Sequence, residues 1–216
     1  MGTPFTPGQM SKLQSVVNIG VATALPRLAE KYGDPKAVLR VLDGRGAIFA
    51  ERLEMALEQA INSMLDLAPR GTETVILTER HDPDTFYRTC EGLYVWDDFR
   101  SRIVANAKPS ELGRTMKVNC AELMRDLTDK EIELALPIDH LFDETEVCAV
   151  IAGLIASQPN GEEGALLNTG YANLFYTSSC VVYVYWYADY RGWHVNAWKR
   201  GDYGWGAGYQ VFSPAN

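Results

Sequence analysis

Two sets of side chains in this sequence have types and spacings that could do chemistry. The first is Tyr183, Tyr185, Tyr187, His194, Asn196, Trp198 and Gln210 near the C-terminal end. Flat rings beside carboxamide and imidazole groups suit a sugar ring, a nucleobase or a protein hot spot. The second set is His81, Asp82 and His140. A metal-dependent hydrolase needs two or three such ligands converging on an open coordination position that holds water. These three are the candidates for one, as the alternative to a binding face. The local sequence weakens that alternative. Pro83 follows Asp82 at once, so Asp82-Pro83-Asp84-Thr85 reads as a helix start or an Asx turn. Asp139-His140 lies between Pro137 and Asp143 and reads as loop.

Other chemistries find less support. There is no Gly-x-Ser-x-Gly elbow, and no cysteine has a histidine close in sequence. The glycine-rich stretch from Gly201 to Gly208 lacks the Lys-Ser/Thr ending of a phosphate loop. Cys90, Cys120, Cys148 and Cys180 are too far apart for the two-residue hook of a zinc knuckle and read as reduced, mostly buried thiols. No cofactor is expected.

The aromatic set must be carried by strands. Leu174-Phe175-Tyr176, Val181 to Tyr187, Trp193 to Trp198 and Ala207 to Phe212 read as strands of an antiparallel meander. A repeated spacing, Trp186 to Trp193 and then Trp198 to Trp205, predicts two successive hairpins of similar build. A loop over Asp189-Tyr190-Arg191-Gly192, with Gly192 at positive φ, pairs Trp186 with Val195, Tyr187 with His194, Tyr185 with Asn196 and Tyr183 with Trp198. One face is then apolar and buries Trp186 and Trp193. The other carries the tyrosines, His194, Asn196 and Trp198. Continuing through a loop from Arg200 to Gly204 places Ala207, Tyr209 and Val211 on the apolar face, Gln210 on the aromatic one, and Trp198 over Gly206. The aromatic face is either a binding surface or packed beneath N-terminal helices.

Upstream, three compositional zones are evident, residues 1–70, 71–164 and 165–216. Residues 1–70 read as helical, with a loose tail around Pro4, Pro7 and Gly8, a helix after Asp34-Pro35 running to Gly44, and a longer one from Ala47 to Leu65. The middle zone mixes types. Thr74 to Thr78 reads as a strand, and Leu93 to Trp96 with Ser101 to Ala105 as a hairpin. Thr128/Glu131 and Asp143/Glu146 have capping-box spacing, the second opening a deeply buried helix from Glu144 to Ser157 that Gln158-Pro159-Asn160-Gly161 stops. The fold class expected is α+β, forming one compact unit or two closely packed domains.

Charge narrows the function. The 216 residues carry 20 Lys and Arg against 28 Asp and Glu, a net charge of -8. Residues 71–164 hold 9 basic and 19 acidic side chains, whereas 165–216 hold 3 and 2 with 14 of the 23 aromatics. Phosphate affinity comes from clustered cations, so direct nucleic-acid binding is not expected. No apolar run reaches the ~20 residues of a membrane span, and the start lacks the basic-then-apolar pattern of a secretory leader.

From about Thr74 onward the chain resembles a group of uncharacterised bacterial proteins. The resemblance lies in Glu79-Arg80-His81-Asp82-Pro83-Asp84-Thr85-Phe86, Leu93-Tyr94-Val95-Trp96-Asp97-Asp98-Phe99, His140-Leu141-Phe142-Asp143, Asn173-Leu174-Phe175-Tyr176 and Val211-Phe212-Ser213-Pro214-Ala215-Asn216. It covers roughly two thirds of the chain, implies a bacterial cytoplasmic protein, and carries over no site residue. The expectation is a non-enzymatic binding or regulatory protein. It would act through the aromatic face on a small aromatic or glycan ligand, or through its acidic surface on a basic protein.

Overall fold

In the computed structural model of the chain, residues 6–32, 36, 40, 45–111, 113–201 and 203–215 are described. The chain divides into two compact units, residues 1–60 and 61–216. In the first, helix α1 runs Pro7–Tyr32. The loose tail expected around Pro4, Pro7 and Gly8 is corrected at Pro7 and Gly8, which are helical, while Pro4 lies outside the described residues. Thr6 and Gln9 cap one another reciprocally (Thr6 N to Gln9 Oε1 2.8 Å, Gln9 N to Thr6 Oγ1 3.3 Å), and Pro7 sits at the first helical position, where no donor is needed. Helix α2 spans Gly46–Met64, within a residue of expectation at each end. Of the helix expected after Asp34-Pro35 only Lys36 and Arg40 are described, both helical, and the rest lies outside the described residues.

The second unit is α+β. Its strands are β1 (Leu67–Ile76), β2 (Leu93–Val95), β3 (Thr115–Leu123), β4 (Leu127–Thr128), β5 (Asn173–Tyr176), β6 (Cys180–Tyr187), β7 (Gly192–Lys199), β8 (Gly204–Trp205) and β9 (Gln210–Pro214). Its helices are α3 (Pro83–Thr89), α4 (Asp97–Arg102), α5 (Asp129–Ala135) and α6 (Glu144–Ser157). Seven strands form one mixed sheet in the order β1-β3-β9-β5-β6-β7-β2, and β4 pairs with β8 in a separate ribbon.

Local rules explain the helices. Thr128 and Glu131 form the full capping box of α5, and Asp143 Oδ1 accepts from Glu146 N at 2.7 Å to open α6. Eight residues of α6 are buried, including the six apolar ones expected to be. The hairpin expected across Leu93 to Ala105 is corrected. Leu93–Val95 is a strand, but it pairs parallel with β7, and residues 97–102 are helical. Asp97 and Asp98 at the positive end of α4, Arg100 and Arg102 at its negative end, and the Asp98–Arg102 pair at 3.0 Å all favour the helix.

Strands β5, β6 and β7 form the antiparallel meander, but β9 does not continue it. It inserts between β3 and β5, antiparallel to the first and parallel to the second. One sheet face packs on α6, α3 and α4 through Phe175, Phe212, Val182, Val184, Trp193 and Val195 against Val147, Ile151, Tyr87 and Phe99. On the other face Leu174, Tyr176, Val181 and Val211 pack with Ile132 of α5 and Leu127 and Trp205 of the ribbon. That second cover lies over β9, β5 and the start of β6. The β6–β7–β2 end of the same face carries the aromatic set.

Candidate functional site

Pairing of β6 with β7 decides which side chains share the site. Tyr185 lies opposite His194, Tyr183 opposite Asn196, Tyr187 opposite Gly192 and Trp186 opposite Trp193. This register is two residues away from the expected one, so the faces are unchanged and the pairs are new. Arg191, not Gly192, takes the positive φ (49°), which starts the loop one residue earlier at Ala188. Tyr183, Tyr185, Tyr187, His194, Asn196 and Trp198 therefore lie together on one face, as the alternation required.

Gln210 does not join them. It pairs with Asn173, which pairs with Val184, so its side chain belongs to the α6 face, where its Oε1 is buried without a hydrogen-bond partner. Val211 and Tyr209 likewise exchange faces relative to expectation, and both pack with the α5 side. Trp198 does not cover Gly206. It packs on Trp205 (centroids 5.5 Å, planes at 25°) and Tyr203 (4.8 Å).

The structure adds Tyr94, Trp96 and Tyr190 to the site. Tyr94 is directly opposite His194 across the parallel β2–β7 pair. Tyr94 and Trp96 alternate with inward-facing Leu93 and Val95, and that period-two pattern was the available signal. Around the His194 ring stand Tyr94 (5.0 Å), Tyr185 (5.1 Å), Tyr187 (5.4 Å) and Tyr190 (6.4 Å). His194 is buried beneath them, whereas Tyr94 (53%), Trp96 (41%), Tyr187 (39%) and Tyr190 (76%) are exposed.

Hydrogen bonds hold the inner members. Asn196 Nδ2 donates to the Tyr183 hydroxyl at 2.9 Å, and Ala197 N donates to Asn196 Oδ1 at 2.8 Å. The Tyr185 hydroxyl lies 3.4 Å from His194 Nδ1. Burial pushes the Tyr183 phenol up to about 12 against the pull of Asn196, and raises that of Tyr185 against a bond from the Trp96 indole. Burial also lowers the His194 imidazole, favouring its neutral form. At neutral pH these groups offer ring faces, hydroxyls and amides and carry no charge. They can bind; they supply no activated nucleophile.

His81, Asp82 and His140 do not come together. His81 packs edge-on against Phe86 and Tyr87 on the α6 side, and its Nε2 is buried without a partner. Asp82 precedes α3 and accepts from Thr85 Oγ1 at 3.0 Å. His140 lies on the α5 side against Tyr176, its Nδ1 2.7 Å from the Pro137 carbonyl. Among the described residues no group of three or more His, Cys, Asp or Glu is placed to hold a metal ion.

The histidines give a pH test. Burial lowers His81 despite Asp82, and burial lowers His194. Both are neutral in the fold, so their contribution to stability is complete above the ordinary value of 6.5 and is lost as pH falls through the lowered values. Glu131 does not interfere in that window, because the Thr128 backbone N–H, the Thr128 hydroxyl and Arg125 hold it down at about 2. The urea midpoint should fall between about pH 7.5 and about pH 5, and a His81→Phe/His194→Phe double variant should show a flatter profile. An equal fall in the double variant would show that other groups cause it.

No family model, curated protein or solved structure matches the chain. No helix among the described residues is long and apolar enough to cross a membrane.

Proposed function

We propose that this chain is a non-enzymatic binding protein that works through the aromatic face of β6, β7 and β2. The observation that carries the reading is the exposure of Tyr94 on β2, Tyr187 on β6 and Tyr190 in the loop before β7 around a buried His194, with exposed Trp96, just after β2, packed against Tyr94. Rings of this kind ordinarily bury themselves, and an exposed cluster marks a contact surface. Neighbouring rings and the Asn196 bonds fix the inner members in advance, so little ordering remains to be done when a ligand arrives. Residues 61–216 carry 13 basic and 22 acidic side chains, which disfavours polyanions as ligands. All four cysteines are free, in keeping with a reducing compartment, and the same proposal places the protein in the bacterial cytoplasm.

Trp96 is a built-in reporter, read as the difference between the emission of the wild type and that of a Trp96→Phe variant, since four other tryptophans also emit. Its emission should shift on titration with a ligand of this face, using neutral oligosaccharides, nucleosides and an arginine-rich peptide as probes. The Tyr187→Ala variant should lose that shift while its urea midpoint stays near wild type, because the ring is already half in water. Silence to every probe, or a response unchanged in Tyr187→Ala, would remove this face from the protein's function.

A further inference from the structure

We infer that the ligand of the aromatic face is an uncharged, linear polysaccharide lying along β6, an inference that rests on the binding reading above. Three observations converge on it. The first is the shape of the row. Tyr190, Tyr187, Tyr185, Tyr183, Trp198 and Tyr203 follow one another with centroid separations of 5.0, 6.5, 6.1, 4.7 and 4.8 Å. Alternate residues of one strand set the middle spacings. The row is open at both ends, where Tyr190 and Tyr203 are exposed.

The second observation is relief. Cavities of about 290 Å³ and 340 Å³ in this unit are lined by other residues, beside Phe86 and Trp193 and beside Leu136 and Val211. A small ligand needs a concave site that covers most of its surface. A row of rings that runs on between two exposed ends instead suits a long ligand that repeats one weak contact many times.

The third is charge. The row and its hydrogen-bonding neighbours His194 and Asn196 carry no formal charge at neutral pH, within a unit whose acidic excess repels polyanions. A basic peptide would want a cluster of unpaired carboxylates among the rings. Asp98, whose charge reaches Tyr183, is instead held by Arg102 at 3.0 Å, and the exposed Asp189 of the loop that carries Tyr190 has the cation Arg191 two residues on. An uncharged ligand matches an uncharged row. Pyranose rings fit it because their C–H faces stack on aromatic rings while their hydroxyls meet the Tyr187 and Tyr190 phenols.

The test is affinity electrophoresis of the full chain through gels containing one of the uncharged linear polymers amylose, pullulan, hydroxyethyl cellulose or β-1,3-glucan. Calorimetry with neutral oligosaccharides from disaccharide to hexasaccharide then follows chain length. Retardation by at least one polymer is expected, with affinity rising about tenfold or more along the series and falling about tenfold in Tyr185→Ala and Tyr187→Ala. Ile138→Ser, at an exposed position on the α5 side, should bind as wild type. Affinity that does not grow with length, or that survives both tyrosine variants, overturns the proposal. So does a lack of retardation across the panel. In that case a Trp96 shift on adding an arginine-rich peptide would keep the binding reading with a protein partner, and its absence would end both.

Discussion

Replacing Asp129 by alanine is expected to destabilise the second unit by about 3–5 kcal/mol, read as a lowered urea midpoint at unchanged slope. The Asp129 carboxylate is buried and accepts three hydrogen bonds. They come from the Tyr176 hydroxyl at 2.8 Å, the Trp205 indole at 2.6 Å and the Gly201 backbone at 3.1 Å. Alanine orphans the Tyr176 hydroxyl and the Trp205 indole in a packed interior and releases the Gly201 N–H at a more exposed position, and an orphaned buried donor costs about 1–3 kcal/mol. The loss also spreads, because Asp129 opens α5 while Trp205 lies on β8, so one carboxylate ties helix, ribbon and sheet. Arg200 reinforces the same corner by pairing with Glu133 and donating to the carbonyls of Thr177 and Ser178. Asp129→Asn should fall between wild type and alanine, since its amide nitrogen faces donors where a carboxylate oxygen had accepted. A cost below about 1 kcal/mol for the alanine variant would show that the three bonds are replaced by water without loss.

What the sequence made legible follows from how far apart the partners are. The caps at Thr128 and Asp143 and the extent of α6 depend on residues three or four apart, and the structure has them where the pattern put them. The two faces of β6 and β7 were equally legible, because alternation is a property of each strand alone. Their register was not. Gly192 looked like the residue for a positive φ, yet Arg191 adopts it. Gly192 is bare for a remote reason: the Gly92 carbonyl would stand 3.0 Å from any Cβ there, and it accepts from Trp193 N at 2.8 Å. The edge strand β2 creates that demand from a hundred residues upstream. The same distance hid Tyr94 and Trp96 from the site and misplaced Gln210, since the position of β9 is set by β3 and β5 rather than by the turn that precedes it. Strand β3 went unread although it carries the same signal as β2: Met116, Val118 and Cys120 alternate inward with Lys117 and Asn119 between them, the period-two pattern of a half-buried strand.

Trp193 and Trp186 face each other on the inner side of the sheet, yet they should differ sharply on truncation. Trp193 is buried in the main core, and its indole N–H donates to the Gln158 carbonyl at 3.1 Å. Gln158 in turn holds the segment after α6, accepting from Leu166 N at 2.7 Å and donating to the carbonyls of Glu162 and Leu166. Trp193→Ala therefore removes a large core side chain and the tie between β7 and the end of α6, an expected cost of about 3–5 kcal/mol. Trp193→Phe keeps most of the apolar volume and loses the donor, so about 1–2 kcal/mol is expected. Trp186 is only partly buried, edge-on to Trp193 at 5.4 Å, with its outer ring roofed by Gly161 at φ 71°, where a Cβ would come within 2.3 Å of the indole. Its truncation to alanine should cost less than that of Trp193, since water already reaches part of the ring and there is less burial to lose. Urea titrations of the three variants decide the order. A larger loss at Trp186 than at Trp193 would mean that the sheet is anchored to α6 through the Gly161 turn and not through the indole of β7.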